Sequence, residues 1–349
     1  MTNERTNPRF LVLDGIGGVP LGREIVENLR ASGHEAFHFD CLRQKSRAFY
    51  GVRSAYAKTV NKRGDKEGFY FLPKLAEGTL EKLAGETRPT HILVVGFIYK
   101  FFDPRQLKRL AAALGATLWL YDTDSCNLYD KRREFVFFIE EELPVYDRIY
   151  SFSQVTTRFF ADTRRLPAVH LPFGAQPIAI DANVEKSIDA LFVGSGDFRR
   201  ILQLETIRDN VTVFGNRWQR NFPLISDELR AKITDRPVWG DELHQLLTRA
   251  KVVLNITRTD FYGAETGVNL RIFEAVAAGC FLLTDHCDEI EDLFEIGKEI
   301  ETFRSSRELA EKVGFYLKND GARAAIAERG HERFMKSHTW QARVQQMLF

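Results

Sequence analysis

The chain has 349 residues, 44% of them hydrophobic and 28% charged, with 49 Lys plus Arg against 48 Asp plus Glu and a formal net charge of +1. These are globular values in a chain long enough for two domains, and the balanced charge lacks both the basic excess of a nucleic-acid binder and the acidic excess of a disordered segment. Cys41, Cys126, Cys280 and Cys287 form no C-x-x-C and no zinc or disulfide spacing, the N-terminal residues 1–9 are polar with no signal-peptide core, and no apolar run approaches the roughly 20 residues of a membrane span.

These features predict a cytoplasmic protein with reduced thiols, no nucleic-acid partner and no integral membrane segment. The first apolar run, 10–14, reads as a buried strand, followed by Gly15-Ile16-Gly17-Gly18, a helix over about 21–30 and a second strand over 36–39. Strand, glycine loop, helix, strand is the order of a parallel α/β unit. Residues 43–68 break the rhythm: they are rich in Lys, Arg, Gly and aromatics, and read as a long loop or helical insertion, either solvated or touching an acceptor. Further strands fall at 91–96, 117–121, 148–152 and 168–171, with a helix over 104–114.

Pro172-Phe173-Gly174-Ala175-Gln176-Pro177 is the linker candidate. The α/β rhythm then resumes with strands at 188–193 and 211–214, and a helix over 241–249 that Asp241 is placed to cap. An apolar run at 252–256 leads into a polar loop with Gly263 and Gly267, a short helix from Asn269, and a strand through 282–285. Helical segments over 308–317 and 322–336 complete the chain. The expected fold class is α/β: two Rossmann-like domains with parallel sheets.

The chemistry-bearing residues lie where strands meet loops. The loop through Gly267 feeds a helix tip, where unpaired N–H groups and the helix dipole favour an anion. Arg271 adds a cation in the first turn, and Glu274 shares its face. A phosphate-holding tip with a carboxylate one turn in suits a nucleoside diphosphate; the alternative is an ordinary helix with a surface ion pair. Gly194, Ser195, Arg199 and Arg200 repeat the theme of a small-residue turn followed by cations. Asn216 and Trp218 follow a strand, with Trp218 either lining a nucleobase pocket or filling core. Gly17 and Gly18 lack the G-x-G-x-x-G spacing of a nicotinamide fingerprint but leave room for a close approach to phosphate or sugar. Asp122-Thr123-Asp124 spells D-x-D after a strand. Metal binding, an acceptor or base role, and structural capping all remain open for Asp122 and Asp124.

Taken in order, Phe192 to Ser195 with Arg199-Arg200, Gly215-Asn216-Arg217-Trp218, Val253 to Ile256, Asn269 to Glu274, Ala278 to Asp285, Glu291 to Phe294 and His338-Thr339-Trp340 resemble the CgeB-type glycosyltransferase-like family. The match is strongest over 188–345. The first half matches more loosely, chiefly through the strand ending in Asp122 and through Leu171-Pro172. The resemblance implies a GT-B architecture, with an acceptor-side domain over 1–175, a nucleotide-sugar domain over 176–335 and a C-terminal helix over 336–349 packing back on the first domain. It implies no catalytic metal and no cofactor. The nucleotide-sugar, a UDP-, GDP- or dTDP-sugar, is a substrate. The donor would be held by Gly17, Gly18, Gly194, Ser195, Arg199, Arg200, Asn216, Trp218, Gly267, Asn269, Arg271 and Glu274, with Asp122 and Asp124 on the catalytic side. Glu274 falls where related enzymes place the second Glu of Glu-x7-Glu, the one that holds the nucleotide ribose. The first Glu is replaced: its position is Thr266, with Glu265 one step away. The expected activity is transfer of a sugar to a carbohydrate, lipid-linked, protein or small-molecule acceptor. The alternative is a non-catalytic nucleotide-sugar or glycan-binding protein of the same fold. A transferase acting on modified DNA bases fits the near-zero charge less well.

Overall fold

The computed structural model describes residues 7–64, 69–76, 78–128, 131–181 and 183–348. The described residues fall into two compact units. One ends at Leu171 and also takes in the chain from Val344 onward; the other runs from Pro172 to Arg343.

The first unit is built on β1 (Arg9–Asp14), β2 (Glu35–Asp40), β3 (His91–Val95), β4 (Thr117–Asp122), β5 (Arg148–Ser151) and β6 (Ala168–His170). They form one sheet in the order β2-β1-β3-β4-β5-β6, and every pairing is parallel. The strands are near-continuous apolar runs because crossover helices cover both faces of a parallel sheet. Val12, Ile92, Val94, Leu118 and Leu120 are fully buried. The helix Pro104–Leu114 shows how local sequence sets an element. Asp103 accepts hydrogen bonds from the backbone N–H groups of Arg105 and Gln106, Pro104 opens the first turn, and Gly115 closes it in the left-handed region at φ 64°.

The second unit holds β7 (Ile188–Val193), β8 (Val211–Phe214), β9 (Ile233–Thr234), β10 (Ala250–Asn255), β11 (Leu282–Asp285) and β12 (Glu301–Phe303). Their order, β12-β11-β10-β7-β8-β9, is again wholly parallel. The succession of strands reverses between β1 and β3 in the first sheet and between β7 and β10 in the second. In open α/β sheets such switch points, at the carboxyl ends of the strands, are where ligands bind.

One expectation is met in its helical form, and one needs revision. The insertion over 43–68 contains a regular helix, Tyr50–Gly64, while residues 65–68 lie outside the described residues, as do residues 1–6 of the N-terminal reading. The helix expected to be capped by Asp241 begins at Gly240, with Trp239 at the cap position and no side-chain cap bond. Asp241 sits in the first turn, where its charge complements the dipole rather than closing the helix end. The last helix, Trp340–Leu348, ends in the first unit, where Tyr150 Oη donates to the Met347 carbonyl at 2.8 Å. Among the described residues, no helix is long and apolar enough to cross a membrane.

Candidate functional site

Because β7, β8, β10 and β11 run parallel, the loops that leave them emerge at one edge of the second sheet. That edge gathers most of the residues singled out from the sequence. The Gly194-Ser195-Gly196 turn after β7 is braced by the loop after β8. Gly194 N donates to Phe214 O at 2.8 Å and Gly196 N to Asn216 O at 2.7 Å. A Cβ on Gly215 would stand 1.8 Å from Gly194 O, so only glycine permits this approach. Trp218 is fully buried, and its indole N–H donates to Gly194 O at 3.0 Å. It shows no face to solvent on which a base could stack. Of the two uses left open by the sequence, the core use is the one its position fits.

The two arginines differ sharply. Asp197 caps the helix Phe198–Glu205, accepting from Arg199 N at 3.0 Å and from Thr259 Oγ1 at 2.9 Å. Arg199 then reaches across the switch point to Asp285 at the end of β11, with Nη1–Oδ2 at 2.7 Å and Nη2–Oδ1 at 2.6 Å. Its guanidinium also lies 3.8 Å from the centroid of the Tyr262 ring and donates to Thr257 O at 3.1 Å. Its charge is thus cancelled. Arg200 is buried and donates only to neutral oxygens: Ile256 O at 2.8 Å, Ser195 O at 3.0 Å and Ser195 Oγ at 3.3 Å. Among the described residues it forms no salt bridge. Burial, with the positive charge of Arg258 next in weight, holds its pKa down to about 9.

The helix Leu270–Ala277 is capped by Asn269, whose side-chain oxygen accepts from Arg271 N at 3.0 Å. Asn269 Nδ2 donates to Asn255 Oδ1 at 3.0 Å, and Asn255 Nδ2 to Thr284 Oγ1 at 2.8 Å, so the helix tip is fastened to β10 and β11. Arg271 Nη1 lies 2.5 Å from Glu274 Oε2, and the pair is mostly buried, not the exposed surface pair of the simpler reading. Arg271 Nε is buried with no hydrogen-bond partner. Gly267 lines the same loop. A Cβ there would come within 3.1 Å of Thr257 Oγ1 and 3.3 Å of Cys287 Sγ, and Thr257 Oγ1 is itself a buried atom with no partner. The missing first Glu is also explained locally. Glu265 is exposed at φ 55°, whereas Thr266 is buried and donates to Glu289 Oε2 at 3.2 Å. Glu289, buried after β11, brings a carboxylate to this edge that no local sequence pattern announced. Asp197, Asp285 and Thr257 were also missed as members of the site. Asp197 alone carried a readable signal, as an N-cap acid before a helix.

Gly17 and Gly18 lie exposed at the carboxyl edge of the first sheet, in the other unit, after β1. Asp122, at the end of β4, is 1% exposed. Its carboxylate accepts from Ser125 Oγ at 2.8 Å, Ser151 Oγ at 2.9 Å, Ser125 N at 3.0 Å and Asp124 N at 3.3 Å. Burial raises its pKa, and these donors oppose the rise. Of the three uses left open for it, this geometry is that of structural capping: the carboxylate builds its own loop. Among the described residues no group of three or more His, Cys, Asp or Glu is arranged to hold a metal ion.

Two Rossmann-like units, each on a parallel six-stranded sheet, define a GT-B α/β protein. The sequence of a family described as glycosyl transferase-like matches residues 199–348, a span that starts at Arg199 and takes in the Asn269–Glu274 segment. Known structures share the fold over nearly the whole chain. Alr3699/HepE of Anabaena, solved in complex with UDP and glucose, has a TM-score of 0.65 at 13% identity and covers 98% of both chains. Sucrose-phosphate synthase of Thermosynechococcus elongatus has a TM-score of 0.62 at 13% identity, with 97% of each chain covered. A glycosyltransferase of Rickettsia africae ESF-5 has a TM-score of 0.59 at 10% identity, covering 98% of this chain and 97% of that one. At such identities the likeness carries the fold alone. Comparison with curated proteins finds no match. The family match therefore speaks for a glycosyl transferase-like domain over residues 199–348.

Proposed function

We propose that the chain transfers a sugar from a UDP-, GDP- or dTDP-sugar to an acceptor, as a CgeB-type enzyme that needs no catalytic metal. The observation that carries this reading is Arg200. A buried guanidinium with no carboxylate partner, under a glycine turn at a switch point, is expensive unless something anionic arrives to share its field. A nucleoside diphosphate is such an anion. As the glycosidic bond breaks, charge develops on the leaving diphosphate, and fixed N–H groups and cations stabilise it without reorganising. Arg200 supplies that field from beneath the glycine turn, and Arg271 adds to it from the tip of its helix. Glu274 accepts the ribose hydroxyls. Glu289 takes the place of the carboxylate missing at position 266. The first unit takes the acceptor, which is a carbohydrate, a lipid-linked glycan, a protein or a small molecule. Cys41, Cys126 and Cys280, buried as thiols, fit a cytoplasmic setting.

Thermal-shift measurements across nucleotide-sugars, followed by donor-turnover assays with mixed glycan acceptors, test the proposal. One nucleotide series should stabilise the protein by linkage, and its sugar should be released or transferred. A stabilising donor that is never turned over favours the second reading, a non-catalytic nucleotide-sugar or glycan-binding protein. Thr266 in place of the usual Glu is the observation that speaks for it. No stabilisation by any nucleotide-sugar defeats both.

A further inference from the structure

The helix Tyr50–Gly64 packs with its sides reversed. Its inward positions follow helical spacing and are small or polar: Ser54 is buried, and Tyr50, Ala57 and Asn61 are half-buried. Its large apolar side chains face the other way. Phe49 is 84% exposed, Val52 73%, Tyr56 73% and Val60 49%. Steps of four residues place Val52, Tyr56 and Val60 on one stripe of the helix, and Phe49 is exposed just before its first turn. Scattered exposed apolar residues need no explanation, but a continuous stripe does. Phe49 is moreover held at φ 55°, a left-handed conformation that bulky residues seldom adopt, so backbone strain is accepted at the residue that heads the stripe.

The charge around the stripe names its partner. Between Cys41 and Gly64 the sequence has seven Lys and Arg and no Asp or Glu, with Asp40, Asp65 and Glu67 flanking the stretch. Arg43 pairs with Asp40 at 3.2 Å and Arg47 donates to Leu75 O at 3.2 Å, while Lys45, Arg53 and Lys58 are exposed. The chain as a whole is balanced at +1, so this is a local concentration. Arg53 borders the stripe and is exposed, in position to lay its stem along apolar surface and lift its head to a phosphate. Apolar side chains on an exposed edge, with cations around them and no acid among them, match the interfacial zone of an anionic bilayer.

We propose that the Tyr50–Gly64 helix docks the first unit on an anionic lipid surface. Phe49, Val52, Tyr56 and Val60 enter the boundary between headgroups and acyl chains, and Lys45, Arg53 and Lys58 meet lipid phosphates. The contact is peripheral and reversible. It does not depend on the transfer reaction, so its test measures binding alone.

The test uses the full chain in co-sedimentation with vesicles of phosphatidylcholine, and of phosphatidylcholine with about 30% phosphatidylglycerol. Binding should be at least about ten-fold tighter to the anionic vesicles and should weaken as salt rises. The triple variant Val52→Ser, Tyr56→Ser, Val60→Ser should lose about ten-fold or more, with an unchanged circular dichroism spectrum because the sites are exposed. The double variant Arg53→Glu, Lys58→Glu should lose the preference for anionic lipid. In an independent readout, Tyr56→Trp should shift its fluorescence to the blue on the anionic vesicles. Equal or absent binding to the two vesicle types, or a triple variant that binds like the parent, overturns the proposal. So does concentration-dependent self-association that the triple variant abolishes, since a second copy would then be what covers the stripe.

Discussion

Arg199 and Asp285 form a two-pronged ion pair, 2.7 and 2.6 Å, between the first turn of the helix Phe198–Glu205 and the end of β11. Asp285 is 3% exposed, and its third donor is Thr257 N at 2.6 Å. Removing the guanidinium leaves a buried carboxylate short of its counter-charge. Arg199→Ala should therefore cost about 3–5 kcal/mol of unfolding free energy, read from urea denaturation at neutral pH. A loss below about 1 kcal/mol would mean that the pair is exposed and screened in solution.

The neighbouring arginine should behave in the opposite way. Arg200 donates to carbonyls and a hydroxyl and neutralises no acid, so Arg200→Met removes an uncompensated buried charge. Stability should fall by less than in Arg199→Ala, since replacing a buried charge by a well-packed apolar chain is often tolerated. Nucleoside diphosphate affinity should fall by about ten-fold or more, because a hydrogen bond or field contribution from a charged group is worth about 1.5–3 kcal/mol. Calorimetry of the variant with the stabilising nucleotide separates the two effects. Unchanged affinity would strip Arg200 of its role.

This contrast shows where sequence reading ends. The strands Ile188–Val193 and Val211–Phe214 were legible because apolar runs between turn signals have few other uses. Ile233–Thr234 and Glu301–Phe303 were not, since two or three residues carry no period. The glycine turn at Gly194 and the helix tip at Asn269 were legible as local patterns. Which arginine keeps its charge was not, because Asp285 lies 86 residues from Arg199 and meets it only once β7, β10 and β11 are side by side. Glu289 was hidden for the same reason. Trp218 has the residue type of a stacking platform, and only tertiary packing placed it in the core.

Chelation should leave any transferase activity intact. The carboxylate of Asp122 already accepts four hydrogen bonds from its own loop and Ser151, and its burial disfavours the bare charge that a divalent cation requires. Turnover should persist in excess EDTA and show no stimulation by Mg²⁺ or Mn²⁺. Restoration of lost activity by Mn²⁺ would return Asp122 and Asp124 to a metal role.

His338 should make the protein acid-sensitive. The ring is 3% exposed, with Nε2–H donating to Leu293 O at 3.1 Å and Nδ1 accepting from Arg343 Nη2 at 2.8 Å. Burial, then the charges of Arg343 and Arg333, hold its pKa down to about 3, and the Leu293 bond only partly opposes them. The folded state thus keeps the ring neutral, while the unfolded chain protonates it near its ordinary value of about 6.5. The stabilising contribution is complete above about pH 6.5 and is lost as pH falls from there toward about 3. Its slope is about 1.4 kcal/mol per pH unit. Denaturation midpoints at about pH 7 and about pH 5 should differ accordingly, and His338→Gln should remove that part of the difference. A variant with the parent's full pH slope would place the titration elsewhere.

Glu274 offers the most direct test of the donor site. One carboxylate oxygen, Oε2, is held 2.5 Å from Arg271 Nη1, and the side chains are 16% and 12% exposed. The pair stands just inside the helix tip that Asn269 caps. In the proposed complex Arg271 fixes the carboxylate in direction, and Oε1 accepts the ribose hydroxyls. Glu274→Gln preserves shape but removes the charged acceptor, so nucleotide affinity should drop by about ten-fold or more. Arg271→Gln should weaken binding too, by releasing Glu274 and by removing a cation near the diphosphate. If the two residues act on the nucleotide through their pairing, the double variant will lose less than the sum of the single losses. Additive losses would mean that each contacts the ligand separately. If Glu274→Gln binds the nucleotide as tightly as the parent while both fold equally well, the donor site lies elsewhere, and the Arg271–Glu274 pair is scaffold.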